Sequence, residues 1–447
     1  MRYRAYSRSN FRSIPQLARL TEEQKNDIEI VSQVLPFKVN NFVIENLINW
    51  DDVPDDPIFS LTFPRREMLL PHHYDEISRL VRQGADRKQI RQAANRIRME
   101  LNPNPDGQME YNVPELDGQP IPGMQHKYEQ TVLFFPSRGQ TCHAYCTFCF
   151  RWPQFAGMRE LRFTSHRVEA LVEYLTRHPE VNDVLITGGD PLVMSAGKIG
   201  AVIEPLINAD LPGLRRIRIG TKSLTYWPYR FLSDDDSSEL LELFGRVVRS
   251  GLHLAVMAHF NHPNELSSPV VRKAIARIRQ TKATVRTQAP LVRHINDSPA
   301  VWRRMWNEQV NLGCIPYYMF VARDTGAHHY FSVPLARAWK IFREAYSNVS
   351  GLGRTVRGPS MSADPGKVHI VGVTEVKGEK VFVLRLLQGR NPEWVDRPFF
   401  AEYDEWATWF SELRPAFGRE RFFFEDELER EYPHRAGMPT FVDLAKE

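Results

Sequence analysis

The sequence predicts an α/β fold built on a parallel sheet, and three observations lead there. Six short runs rich in β-branched and aromatic residues recur between residues 131 and 321. Most are separated by a stretch whose apolar residues keep helical spacing. Strands alternating with helices are the signature of right-handed β-α-β crossovers, giving a sheet either doubly wound or curled as a barrel.

In chain order, "TEEQ" at residues 21–24 is a capping-box pattern, with Thr21 accepting from the backbone and Gln24 reaching back, so a helix is expected after it. "WDDVPDDPIFSLTFP" (50–64) crowds proline and aspartate and reads as loop. Residues 76–101 read as two helices split near Gly84. The segment 102–123 is rich in turn formers and marks a boundary near residue 125.

The strand runs then follow: "TVLFF" (131–135), "DVLIT" (183–187), "RIRIG" (216–220), "HLAVMAHF" (253–260), "TVRTQA" (284–289) and "IPYYMFV" (315–321). In "HRVEALVEYLTRH" the residues Val168, Leu171, Val172 and Leu175 share one helical face, and Val271, Ile275 and Ile278 do the same in "VVRKAIARIRQ". From about residue 336 the pattern changes to a helix, "PLARAWKIFREAY", and a hairpin of "VHIVGVTEV" and "VFVLRLL" joined through "KGEK". The chain thus divides into 1–125, 126–335 and 336–447.

Composition narrows the function classes. A net charge of +4 from 58 basic and 54 acidic residues, without a long run of one sign, speaks against an obligate nucleic-acid binder. No run approaches the ~18 apolar residues of a membrane span. The amino-terminal "MRYRAYSRSNFRSIPQL" is basic but lacks the apolar stretch of a signal peptide, so a cytoplasmic location is expected. Three of the four cysteines fall within "TCHAYCTFCF", which is unlike a secreted disulfide framework.

Those three, Cys142, Cys146 and Cys149, follow the carboxyl end of the first predicted strand, where parallel α/β folds assemble their chemistry. Three thiolates bind zinc with a fourth ligand, or hold an iron-sulfur cluster with one iron open. Three unmetallated thiols are the plain alternative. Phe148 and Phe150 shield a cluster in one reading and fill a core in the other. "TGGDP" (187–191) ends the second strand, where Gly188 and Gly189 allow a close backbone approach to a ligand, or form a tight turn.

The C-x3-C-x2-C spacing of "CHAYCTFC" resembles the signature of radical S-adenosylmethionine (SAM) enzymes. Further stretches, "PGMQHKY", "TGGDPL", "RIGTK", "HFNHPNE" and "IPYY", resemble lysine 2,3-aminomutase and its relatives, with similarity from about residue 20 to 370. The resemblance implies a partial (β/α)6 TIM-like radical SAM barrel on 126–335, a helical amino-terminal extension, and a small α+β carboxyl-terminal region. It implies a [4Fe-4S] cluster on the three cysteines and SAM chelated at the open iron. It further implies pyridoxal phosphate (PLP), and migration of an amino group from Cα to Cβ after a 5′-deoxyadenosyl radical takes hydrogen from Cβ.

Carried over residue by residue, Gly188, Gly189 and Asp190, with His259, Asn261, His262 and Gln288, contact SAM. Lys367 in "SADPGK" is the Schiff-base lysine, after a shortened glycine segment. Thr131 stands where the family has an arginine near the PLP phosphate, and the resemblance leaves Lys127 and Tyr128 at the neighbouring matching positions. Arg151 matches a family arginine that clamps the substrate carboxylate. Lysine-specific relatives place acids where this chain has Arg323 and Ser360, so lysine is not the expected substrate. Either Arg323 meets a distal acid such as that of glutamate, or a one-residue shift makes Asp324 the contact.

The resemblance also implies an electron donor such as flavodoxin or ferredoxin, a small amino-acid substrate, and a homo-oligomer. No cysteine follows Cys314, so the zinc site some relatives carry near the carboxyl end is not expected. Two other readings stand beside this one. The first is a radical SAM enzyme on the same scaffold without PLP, and the second a zinc or iron-sulfur interaction protein.

Overall fold

All six runs form strands, and the computed structural model, which describes residues 1–431, joins them in one eleven-stranded sheet. The strands are β1 (Met124–Tyr128), β2 (Thr131–Phe134), β3 (Asp183–Ile186), β4 (Arg216–Thr221), β5 (His253–His259), β6 (Thr284–Leu291), β7 (Ile315–Val321), β8 (Arg357–Ser362), β9 (Gly366–Val376), β10 (Glu379–Gly389) and β11 (Phe399–Glu402). Spatial order follows chain order throughout. Strands β2 to β8 run parallel, and β1 and β9 to β11 are antiparallel to their neighbours.

Strand alternation builds the core. Register aligns Val132, Val184, Ile217 and Leu254 in one row, and Phe134, Ile186, Ile219 and Val256 in the next. All eight are fully buried, each worth about 1.5–3 kcal/mol over an exposed position. The helices between strands supply the matching layer: Ala170, Leu171, Tyr174 and Leu175 of Val168–Arg177, and Val271, Ile275 and Ile278 of Pro269–Gln280, are buried. On the opposite sheet face, Leu133, Leu185 and Arg218 share a row and stay half-buried.

The sheet is strongly curled. From β1 to β9 is eight steps, about 38 Å if flat at ~4.8 Å per strand. Yet Lys127 of β1 donates to the Ala363 carbonyl just before β9, and the Lys367 ammonium of β9 lies 5.9 Å from the Tyr128 ring.

The seventh parallel strand, β8, belongs to the segment the sequence assigned to the carboxyl-terminal region. Its "RGPSMS" lacks an apolar alternation, and only its tertiary setting makes it a strand. The carboxyl-terminal hairpin therefore continues the same sheet. It also carries a second apolar cluster in which Trp394, Phe399, Phe410, Phe422 and Phe424 pack together.

In the amino-terminal region the Thr21–Gln24 capping box forms as expected. Helices Pro71–Arg82 and Arg87–Glu100 are divided at Gly84, whose φ of 66° is the left-handed conformation that ends a helix. The segment 50–64 departs from its loop reading. It contains the helix Pro57–Thr62, because Asp56 caps Phe59 N at 2.7 Å and Pro57 occupies the first turn. Among the described residues no helix is long and apolar enough to cross a membrane.

Candidate active site

Parallel strands point their carboxyl ends the same way. The cysteine loop after β2, Gly188 to Asp190 after β3, Lys222 after β4, His259 to Glu265 at β5, Gln288 in β6 and Arg323 after β7 are thereby gathered at one end.

The amino-terminal extension clasps the cysteine loop. Tyr145 N donates to the Lys38 carbonyl (2.8 Å), Thr147 N to that of Leu61 (3.0 Å), and the Lys38 ammonium to the Cys142 carbonyl (2.7 Å). Tyr3 and Asn40 both donate to the His143 carbonyl, at 2.8 and 3.2 Å. From the other side Asp190 N donates to the Thr141 carbonyl at 2.7 Å.

All three cysteines are free and half-buried. Burial raises each thiol, Cys149 to about 12, so binding a metal there must release protons. Tetrahedral zinc at ~2.3 Å holds its sulfurs about 3.8 Å apart. Among the described residues the one set of three His, Cys, Asp or Glu ligand atoms within 4.8 Å of one another is His72, His73 and Glu100. The three sulfurs do not all lie within 4.8 Å of one another. His143 turns its Nδ1 to Ser223 Oγ (3.0 Å) and is held neutral by burial, its pKa lowered to about 3. Phe148 packs against the core beside Phe331, whereas Phe150 is 42% exposed.

Gly189 meets a neighbour that the sequence reading did not assign. A Cβ on it would lie 2.5 Å from both Thr141 N and O, so the close approach is to the cysteine loop itself. Asp190 also differs. Its fully buried carboxylate accepts from Thr221 Oγ1, Lys222 N, Ser223 Oγ and Leu192 N at 2.8 to 3.0 Å. With those oxygens occupied, Asp190 ties the end of β3 to the end of β4 and leaves little capacity for a ligand.

Behind it lies a network that the sequence reading did not assign. The Lys222 ammonium pairs with Glu265 Oε1 (2.6 Å) and donates to Asn261 Oδ1 (2.8 Å). Glu265 Oε2 in turn accepts from the backbone of Asn261 and His262. Both residues sit inside the motifs "RIGTK" and "HFNHPNE", which was the available signal. Asn261 is fully buried and its Nδ2 has no hydrogen-bond partner among the described residues. His259 Nε2 meets the Gln288 side-chain amide at 3.0 Å, as the β5–β6 register requires. Burial first, and Lys222 second, lower the His259 pKa to about 3; burial lowers that of His262 to about 4.

Arg151 lies with its guanidinium 4.1 Å from the Phe135 ring and 5.1 Å from that of Phe150. Its charge is felt by Cys149, which is itself close, and Arg323 repels it. No described acid forms an ion pair with it.

Arg323 is the main correction. Its guanidinium bonds Asp106 Oδ2 at 2.8 Å, lies 3.4 Å from Asp324 Oδ1, donates to the Ser362 carbonyl, and stacks 4.9 Å from the Trp409 ring. Only 9% of the side chain is exposed. Its charge is compensated within the chain, which removes the basis for reading it as a contact for a distal carboxylate. Asp324 lies beside the same guanidinium, while its buried Oδ1 makes no hydrogen bond among the described residues. Ser360 is fully buried, and its Oγ has no partner among the described residues.

Lys367 projects into an aromatic and cationic setting. Its ammonium lies 4.3 Å from the Tyr318 ring and 3.1 Å from Gln388 Oε1. Burial, followed by the charges of Arg218 and Arg357, lowers its pKa to about 7. Lys127 and Tyr128 stand across the seam of the curled sheet. There Tyr128, Gln130, Gln388 and Val395 line a cleft of about 290 Å³.

No protein-family model matches this sequence. It is 30% identical over 393 residues to a protein of Aquifex aeolicus with the provisional name L-lysine 2,3-aminomutase, covering 88% of this chain and 91% of that one. A second A. aeolicus protein of the same provisional name is 24% identical over 371 residues, 83% and 87% of the two chains. L-lysine 2,3-aminomutase of Fusobacterium nucleatum is 28% identical over 286 residues, 64% of this chain and 63% of that one. Among solved structures, SuiB of Streptococcus suis bound to S-adenosylmethionine covers 60% of this chain and 56% of its own. It does so at 12% identity and a TM-score of 0.35, too slight a likeness to carry an argument.

Proposed function

The chain belongs to the lysine 2,3-aminomutase family of radical SAM isomerases, and from that premise we propose that it moves an amino group from Cα to Cβ of an α-amino acid lacking a distal ammonium. The observation that carries the proposal is the Lys367 amine, its pKa lowered to about 7 at the family's Schiff-base position. An amine that is half unprotonated at neutral pH can add to an aldehyde without first being stripped by a base.

The residues present fit the family's cofactors. Cys142, Cys146 and Cys149 would hold the cluster, and Lys367 would hold PLP, with Lys127 and Tyr128 across the seam. When bound, the cluster with SAM supplies hydrogen abstraction and PLP carries the migrating amino group. The protein's part is to bind, orient and exclude water. His259 is kept neutral by burial, and with Gln288, Asn261 and His262 it offers polar atoms to SAM. Gly188, Gly189 and Asp190 hold the cysteine loop against that wall. Arg151, a cation without an acid partner beside the loop, is suited to the substrate carboxylate.

At the two positions where lysine-specific relatives carry acids, this chain has Arg323 and Ser360. Arg323 is spent on Asp106 and Asp324, and Ser360 is neutral. This favours a substrate whose far end is uncharged over the glutamate-like one that the sequence suggested. We further read the curled parallel run as the partial (β/α)6 TIM-like barrel of radical SAM enzymes, placed in the cytoplasm, working as a homo-oligomer with a flavodoxin- or ferredoxin-type donor.

The test is anaerobic reconstitution followed by incubation of the reduced enzyme with SAM and a panel of amino acids. 5′-Deoxyadenosine and a β-amino product should form, and PLP absorbance in the violet should vanish in Lys367→Ala. A cluster that forms without such absorbance supports a PLP-free radical SAM enzyme instead. Stoichiometric zinc without iron would leave the interaction-protein reading.

A further inference from the structure

The middle cysteine of the loop has a neighbour that its sequence spacing does not reveal. Tyr226 closes the short helix Ser223–Tyr226 after β4, and its hydroxyl lies 3.1 Å from Cys146 Sγ, 80 residues away in the chain. The residue is 1% exposed, and its hydroxyl makes no other hydrogen bond among the described residues. Its backbone carbonyl accepts from Asn40 Nδ2 at 2.8 Å, fixing it from the far side. The Lys222 ammonium sits 4.7 Å from the ring, its charge compensated by Glu265 at 2.6 Å. The other two sulfurs differ: Cys149 accepts from the backbone N–H of Arg151, and Cys142 receives no side-chain hydroxyl among the described residues.

A cysteine that ligates a metal is a thiolate and can only accept, so the phenol must be the donor. We infer that Tyr226 is a positioning residue whose O–H donates to the sulfur of Cys146 and raises the reduction potential of the cluster bound there. The physical reason is differential. The reduced cluster carries one more negative charge, part of it on the sulfurs, so a hydrogen bond to sulfur stabilises the reduced state more than the oxidised one. Burial keeps water from replacing the donor and strengthens the bond. The inference rests on the cluster reading above and adds to it a residue that sets how readily an electron arrives.

The experiment compares wild type with Tyr226→Phe, which keeps the ring and removes only the hydroxyl. Both are reconstituted anaerobically, assayed for iron and sulfide per chain, and titrated with mediators while the electron paramagnetic resonance signal of the reduced cluster is followed. The phenylalanine variant should bind the electron roughly tenfold more weakly, about 59 mV more negative for one electron, at unchanged iron content. If it fails to hold the cluster, 3-fluorotyrosine introduced at position 226 decides. A stronger donor should move the potential upward. A wild-type cubane together with an unshifted phenylalanine variant, or an unshifted fluorotyrosine variant, overturns the inference alone. Wild-type protein that takes up zinc instead overturns both the inference and the reading beneath it.

Discussion

Replacing Lys367 by methionine should make the protein's stability respond differently to pH, and the size of the effect follows from the site. The amine falls from its ordinary 10.5 to about 7. Between those values the unfolded chain holds a proton at this position that the folded chain has released. Stability conferred through Lys367 is therefore at its lowest below pH 7 and rises with pH until about 10.5. The slope cannot exceed about 1.36 kcal/mol per pH unit. Over pH 7.5 to 9.5 that is at most ~2.7 kcal/mol. Methionine fills similar volume without the charge. Urea unfolding of the apo proteins, measured in parallel under anaerobic conditions, isolates this residue as the wild-type-minus-variant difference, from which other titrating groups cancel. Wild type should gain on the variant by up to that amount as pH rises. A difference that stays flat, or that favours the variant at high pH, would refute a depressed amine and with it the argument for Lys367 as the PLP lysine.

Three further outcomes follow. Gly189→Ala places a Cβ against the Thr141 backbone, so reconstituted iron per chain should fall severalfold; iron content equal to wild type would show that the loop tolerates the shift. Glu265→Gln strands the Lys222 ammonium in the core and should cost about 3–5 kcal/mol. Adding Lys222→Met should restore part of that loss in urea unfolding, and strictly additive costs would deny the coupling. Arg151→Lys keeps the charge but loses the planar fork. It should raise the substrate KM about 10- to 100-fold, ~1.4–2.7 kcal/mol, with a smaller change in kcat, whereas a fall in kcat at constant KM would exclude a carboxylate clamp.

Much of this molecule is written locally. A strand's two-residue alternation and a helix's 3.6-residue spacing are properties of neighbouring residues, which is why the six runs, the helical faces at Leu171 and Ile275, the Thr21 capping box and the break at Gly84 are all legible in the chain. The cysteine triplet is local too, since a loop must bring its ligands together over a few residues. What the tertiary structure decided depends on partners far apart in sequence. Arg323 looks like a free cation until Asp106, 217 residues earlier, is folded against it. Gly189 packs against the Thr141 backbone, 48 residues earlier, and nothing along the chain announces that neighbour. Strand β8 has no apolar alternation and exists because β7 and β9 flank it. Lys367 is an ordinary lysine by composition, and its amine is tuned first by burial and then by Arg218 and Arg357 from two other strands. Charge pairing and burial act through space, and no spacing rule along one chain encodes which distant groups a fold will press together.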